Sequence, residues 1–307
     1  MVFLNIVELI LREGFLYAIL ALGVYITYSI LDFPDLSVDG AVPLGAVVTG
    51  VLISAGVNPW LCCLIAFAAG AAAGCVTGLL NVKLHIRPLL CGILTMTALL
   101  SFNLVICKAG TDGMSIVSFF AQPTIFSSGP AAWIPETVGD LAIRRVVVLL
   151  VLVAACKLLL DLYLKSKSGL LLRATGSNDQ YVILLARDPG LSKILGLALG
   201  NGFAALSGSV IAQSKGTADL NMGTGMVVIG LASVIIGLSI FRKVRFMRFT
   251  TMVVIGSLLY KTCLQVAMSF GLNPDYLKAA MAVIFVAALV LSHVTEKGKR
   301  GVPHAKA

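Results

Sequence analysis

Residues 144–193 read RRVVVLLVLVAACKLLLDLYLKSKSGLLLRATGSNDQYVILLARDPGLSK. Positions 144–164 are an apolar run, and a hydrocarbon core of about 30 Å takes roughly 20 helical residues to cross. The chain then passes into 165–193, where Lys165, Lys167, Arg173, Arg187 and Lys193 surround a short apolar patch, Leu170 to Leu172. Ser177, Asn178 and Asp179 are helix-capping residues ahead of a second apolar helical run that ends before Pro189-Gly190. An amphipathic helix parked on the inner face of a membrane reads this way. A plain basic loop is the alternative, but ordered caps beside an apolar stripe favour docking of a partner.

The same grammar extends in both directions. Apolar runs of spanning length occur at 9–31, 38–56, 60–81, 89–107, 191–211, 224–241, 249–270 and 276–292. Unsatisfied backbone is forbidden in lipid, and these runs do not alternate as barrel strands would, so they are read as helices. The fold class expected is an all-α polytopic membrane protein of about nine transmembrane helices, one domain over 1–307. Composition agrees: of 307 residues 59% are hydrophobic and only 12% charged, with a mean hydropathy of +1.00. A soluble domain carries about twice that share of charge. The net charge of +9 does not signal nucleic acid, because the basic residues sit in short loops without interleaved aromatics.

Charge placement sets the expected orientation. Loops 82–88, 165–193 and 242–248 and the tail 293–307 hold 15 of the 23 lysines and arginines, and with nine spans all four fall on one side. That side is read as cytoplasmic, leaving the N-terminus outside and the C-terminus inside. Arg144 and Arg145, at the outer end of their helix, are the exception. The chain start lacks a basic n-region and an A-x-A site and carries Glu8 and Glu13, so it does not read as a cleavable signal.

Two segments echo each other. Asp35-Leu36-Ser37-Val38 leads into GAVPLGAVVTGVLI (40–53), and Asp219-Leu220-Asn221-Met222 leads into GTGMVVIGLASVIIGL (223–238). Under the assigned topology the two spans run in opposite directions, the arrangement of inverted repeats that place a pathway between two halves. Gly70, Gly74 and Gly78 make a G-x-x-x-G-x-x-x-G face, repeated at Gly196 and Gly200, that suits close helix packing.

Polar residues in or beside the spans are the site candidates, because they are expensive in lipid. Asp35, Ser37 and Asp39 precede the second span, where they either expose an interrupted helix to substrate or cap it. Asn103 and Asn201 either line the path or bridge helices, and Asn221, in the second of the echoing segments, is assigned to the path. Lys261 either pairs with one of the aspartates or snorkels to an interface, and Lys157 and Asp161 pair across one helical turn. The outer stretch 108–143, with Phe119, Phe120, Phe126 and Trp133 among Gly, Pro and Ser, is too broken to span. It is a half-helix receiving a partner or an aromatic anchor at the interface. Cys62, Cys63, Cys75, Cys91, Cys107, Cys156 and Cys263 make no C-x-x-C pair, and His85, His293 and His304 stand apart, so no metal site is expected. The chain has no G-x-x-x-x-G-K-[ST] loop for ATP phosphates and no G-x-S-x-G or H-E-x-x-H, so it is not read as an enzyme.

Ser168-Gly169-x-x-x-Arg173-Ala174-x-Gly176-x-Asn178, followed by Gly190, resembles the cytoplasmic loop of permeases of the branched-chain amino acid and ribose family of ABC importers. FPDLSVDGAVPLGA (33–46), Gly74, Thr77, Gly78 and LLCGILTMTALLSFNL (89–104) are similar to a subgroup fed by a lipid-anchored binding protein, with aromatic amino acids such as tryptophan as cargo. The resemblance implies a bacterial inner-membrane protein with the ABC importer permease fold. Two permease copies would pair around a path, an extracytoplasmic binding lipoprotein would deliver the solute, and ATP and Mg would sit on a separate ATPase subunit. It assigns 165–190 as the coupling helix, with Ser168, Gly169, Arg173, Ala174, Gly176 and Asn178 at the contact. An ion-gradient-driven secondary transporter with inverted repeats is the alternative, although it gives 165–190 no purpose.

Overall fold

A computed structural model describes residues 2–111, 113–129, 131, 135, 143–184, 186–241, 244, 246–269, 276, 279, 282–287 and 290. Helix α1 (Val2–Val24) runs into a π-helical turn, Tyr25–Ile30. After it come α2 (Val38–Ser54), α3 (Pro59–Leu84), α4 (Pro88–Ala109) and strand β1 (Ile116–Ser118). The second half holds α5 (Ile143–Lys165), α6 (Lys167–Ser177), α7 (Asp179–Leu184), α8 (Pro189–Lys215), strand β2 (Thr217–Asp219), a 3-10 turn (Leu220–Gly223), α9 (Met226–Phe241) and α10 (Phe249–Ser269).

Among the described residues seven segments are long and apolar enough to cross a membrane, and α2, at 17 residues, is an eighth, shorter apolar helix. The ninth expected span, 276–292, is described only in pieces, at 276, 279, 282–287 and 290, of which 282–287 are helical. Two short strands escaped the sequence: β1 and β2 pair antiparallel, Val117 opposite Ala218, and clip the stretch after α4 to the end of α8. Three residues per strand leave no periodicity to read.

Helix ends follow local chemistry. Pro59, Pro88 and Pro189 stand in the first turn, where a missing N–H costs nothing. The side chains of Asn58 and Asp188 accept hydrogen bonds from Trp60 N and Gly190 N. Gly216, in the left-handed region at φ 71°, ends α8 with its N–H on Ala212 O.

Helix α8 is the axis of the bundle: 83% of its most apolar stretch is buried, against 28% for α4. Helices α2 and α3 pack on α8, and α9 and α10 pack on α1, which itself crosses α8. These contacts are made backbone to backbone. A Cβ on Gly45 would lie 1.9 Å from Ala205 O, one on Gly208 1.9 Å from Val42 O, and one on Gly74 2.2 Å from Leu197 O. Gly70 and Gly78 continue the Gly74 seam against Asn201 and Ile194. Close approach of this kind replaces the missing hydrophobic drive between helices in lipid with van der Waals contact. Exposed leucines, Leu64 on α3, Leu94 on α4 and Leu159 on α5, cover the outside.

Gly74→Leu is therefore expected to wedge α3 off α8 and cost about 1–3 kcal/mol as an overpacking change. It should lower the melting temperature of the detergent-solubilised protein, whereas Val76→Ala, at a half-exposed position of the same helix, should leave it within error. Equal melting temperatures for Gly74→Leu and the parent would show that the seam is not tight.

Candidate transport path and coupling face

Two connections break the helical ladder within the bundle: 31–37 between the π turn and α2, and 216–225 between α8 and α9. Backbone groups freed there must find partners within the protein, since lipid offers none: β1 pairs with 217–219, and polar side chains serve other groups at both breaks. At the first break Asp35 is buried, and its Oδ1 accepts the Ser37 N–H at 2.9 Å. Ser37 Oγ lies 2.5 Å from Asp35 Oδ1 and 3.0 Å from Asn201 Oδ1. Asn201 Nδ2, on α8, donates to Asp35 Oδ2 at 2.8 Å. A carboxylate, a hydroxyl and an amide from two separate elements thus close into one network, with Asp35 both turning the chain into α2 and crossing to α8.

Asp39 behaves differently from the cap envisaged for it. It stands in the first turn of α2, yet its carboxylate serves α9: Oδ1 accepts Val227 N–H at 2.8 Å and Oδ2 accepts Gly225 N–H at 3.3 Å. A carboxylate on those free N–H groups also faces the positive end of the α9 dipole. Gly223 makes this approach possible, since a Cβ there would lie 1.9 Å from Asp39 O. Asn103 on α4 donates Nδ2 to Gly40 O at 3.0 Å and so bridges helices, while its Oδ1 has no hydrogen-bond partner among the described residues. Asn221 is exposed; its backbone N–H donates to Asp219 Oδ1, repeating the Asp35–Ser37 turn. The structure thus brings Asp35, Ser37 and Asn201 into one network, sets Asp39 on α2 close by with Asn103 reaching α2 from α4, and leaves Asn221 apart.

The 165–193 stretch forms two helices meeting at Asn178 rather than one. Ser166 Oγ accepts Gly169 N–H at the start of α6, and Asn178 Oδ1 accepts Gln180 N–H at the start of α7. Tyr163 OH and Ser168 Oγ share a hydrogen bond of 3.2 Å. Helix α6 is held tightly at both ends: a Cβ on Gly169 would lie 2.2 Å from Tyr163 O, and one on Gly176 1.7 Å from Ile30 O. Leu172 fills the interior at full burial, while Leu170 and Arg173 are exposed and Ala174 half-buried. Leu184, 81% exposed at the end of α7, and Ile183 add an apolar surface. Lys193 pairs with Asp179 and ties α7 to α8.

Charges inside the bundle found partners that spacing could not supply. Lys157 pairs with Asp161 at 3.2 Å as expected one turn apart, but Asp161 also takes Arg248 Nη1 at 2.9 Å and Thr250 Oγ1 at 2.6 Å. Lys261 pairs with neither aspartate of the break. Its Nζ lies 2.9 Å from Glu13 Oε2 and 3.8 Å from the centroid of the Tyr17 ring. The available signal for Glu13 was a carboxylate inside the first apolar run, a position that asks for a cation on another helix. Trp133, His293 and His304 lie outside the described residues.

Comparison with known proteins accounts for this architecture over almost its whole length. The profile of the family described as branched-chain amino acid transport system / permease component matches residues 6–291. A tyrosine transport system permease protein of Clostridioides difficile (strain R20291) is 39% identical over 285 residues, 93% of this chain and 90% of that protein. The protein RP368 of Rickettsia prowazekii (strain Madrid E) is 32% identical over 291 residues, 93% of this chain and 97% of its own. The fructose import permease protein FruF of Bifidobacterium longum (strain NCC 2705) is 24% identical over 282 residues, 92% of this chain and 75% of that one. With its spanning helices and this match along the chain, the protein belongs to the branched-chain amino acid transport system permease family and is the membrane-spanning permease component of an ABC-type import system.

Proposed function

We propose that this permease carries a small amino acid, aromatic in type, inward through an ATP-driven importer. A second permease copy, a separate ATPase subunit and an extracytoplasmic binding lipoprotein complete the machine, in a bacterial inner membrane. The observation that carries the reading is the seating of α6. It is clamped through Gly169 and Gly176 onto the ends of α5 and the π turn, while Arg173 and Leu170 stay exposed. A helix held rigidly to two spanning elements, with a cation and an apolar side chain free, passes a push from a docked partner to those spans. Arginine suits an acidic edge on that partner because its planar fork pairs bidentately with carboxylates. The relative named for tyrosine transport supports an amino acid cargo.

The polar network of Asp35, Ser37 and Asn201 is the proposed lining of the path. It sits where α2 begins, beside the Asp39 cap on α9, and a push arriving through the π turn reaches residues 31–37 first. Opposed halves fit this picture: α8 packs on α2 and α3 as α1 packs on α9 and α10, and both breaks contain an Asp-x-[Ser/Asn] turn. These features support an inverted repeat with the path between its halves. In this reading α6 and α7 face the cytoplasm, with the N-terminus outside and the C-terminus inside.

In a Cys263→Ser background, Leu184→Cys should react with a membrane-impermeant maleimide in inside-out vesicles and stay unreactive in intact cells. Labelling from outside would reverse the orientation and remove the coupling role of α6. Arg173→Glu should reduce ATP hydrolysis stimulated by the loaded binding protein by about tenfold, the scale of one charged hydrogen bond, while the permease stays folded in the membrane. Unchanged stimulation would exclude Arg173 from the contact. Asp35→Asn should lower uptake by about tenfold on the same scale with assembly intact. Asp39→Ala should destabilise the protein by about 1 kcal/mol, the cost of a lost helix cap, and Asp39→Asn, which keeps an acceptor, by less. Normal uptake by Asp35→Asn would reduce Asp35 to a turn-forming residue.

A further inference from the structure

A second polar constellation lies away from the 31–37 break, between α1 and α10. Lys261 Nζ and Glu13 Oε2 are 2.9 Å apart, with side-chain exposures of 10% and 40%. The Lys261 ammonium also lies over the Tyr17 ring. Beside them is a cavity of about 290 Å³ whose walls include Leu264, Gln265 and Met268. The helices carrying these groups are spanning segments. An ion pair inside such a bundle is a poor way to gain stability, because the desolvation of two charges offsets their attraction, and apolar replacements of similar volume are often at least as stable. Charges kept within a span therefore point to a pathway or a ligand.

We propose that Glu13 and Lys261 form a binding station for a zwitterionic amino acid, Glu13 taking the α-ammonium and Lys261 the α-carboxylate. The inference rests on the import reading and specifies its cargo chemistry. Between turnovers the two side chains neutralise each other, so no uncompensated charge is left inside the bundle. When a zwitterion enters, one ion pair becomes two and the net charge stays zero. A cation or an anion leaves one charge unmatched, and an uncharged sugar must part the pair without replacing either partner, so both are disfavoured. The apolar wall and the Tyr17 ring supply contact for a side chain, and Gln265 a further hydrogen-bonding group. This chemistry separates an amino acid carrier from the sugar importers of the same family.

The test uses the complete transporter, permease with its ATPase and binding protein, in proteoliposomes supplied with ATP and radiolabelled L-tyrosine. The double variant Glu13→Leu with Lys261→Met should assemble and melt as the parent does, whereas Glu13→Gln, which leaves the Lys261 ammonium without its counter-ion, should assemble but melt lower. Each should import about tenfold more slowly or worse, the scale of one lost charge-assisted contact. In the unaltered complex L-tyrosine should slow modification of Glu13 by dicyclohexylcarbodiimide, read by mass spectrometry, and fructose should not. Parent-like uptake by the double variant, or Glu13 labelling indifferent to tyrosine, would overturn the station and leave only a structural clamp. If uptake and melting temperature fell together in the double variant while tyrosine gave no protection, the clamp would likewise be the answer. Failure of the unaltered complex to import any solute with ATP would instead remove the import reading itself.

Discussion

A backbone that leaves its helix inside an apolar bundle loses its hydrogen-bond partners and gains no water in exchange, and among the described residues the chain does this at two connections. At 31–37 and at 216–225 the ladder opens, and what fills the gap is the pairing of β2 with β1 at 217–219 and short polar side chains at both breaks. Asp35 bonds Ser37 N–H and crosses to Asn201, and Asp39 reaches over to the free N–H groups ahead of α9. These contacts tie α2 to α8 and to α9, so the two halves meet where each is least helical. The close glycine contacts of α2 and α3 with α8 serve the same end, since carboxylates and amides reach across only when the backbones almost touch.

That constraint links the fold to the work of a permease. A helix end whose N–H groups are held by a side chain of another helix can be released and recaptured without unfolding, because only a few bonds change. The π turn at Tyr25–Ile30 lies between such an end and the α6 clamp at Gly176. In the proposed coupling, a shift of α6 acts on the segment that carries Asp35. Widened helical turns of this sort are rare and occur frequently at functional sites. The Asp161 cluster, where Lys157, Arg248 and Thr250 converge, ties α5 to the start of α10.

Much of the candidate site was visible in single residues but not in their partnerships. Asp35, Ser37 and Asn201 stood out because each is polar in an apolar neighbourhood. Nothing in the chain said that residues 35 and 201 share a network, since contacts between distant residues leave no periodicity. Asp39 was visible as a carboxylate at a helix start, where local rules assign it to its own helix, and the geometry gives it to α9. Glu13 was overlooked as a partner for Lys261 for a similar reason: 248 positions separate them, and each sits in a run that reads as apolar on average.

From the residues alone came the solvent, the helical character, the basic stretch between α5 and α8, and the membership that its motif suggested. These are properties of composition and of short-range spacing, which an extended chain already carries. Tertiary structure decided which charges pair, which helix a capping carboxylate serves, and which surface of α6 stays open. Those depend on how α1, α8 and α10 cross in space. A crossing is set by the fit of many side chains at once, which no window of sequence contains.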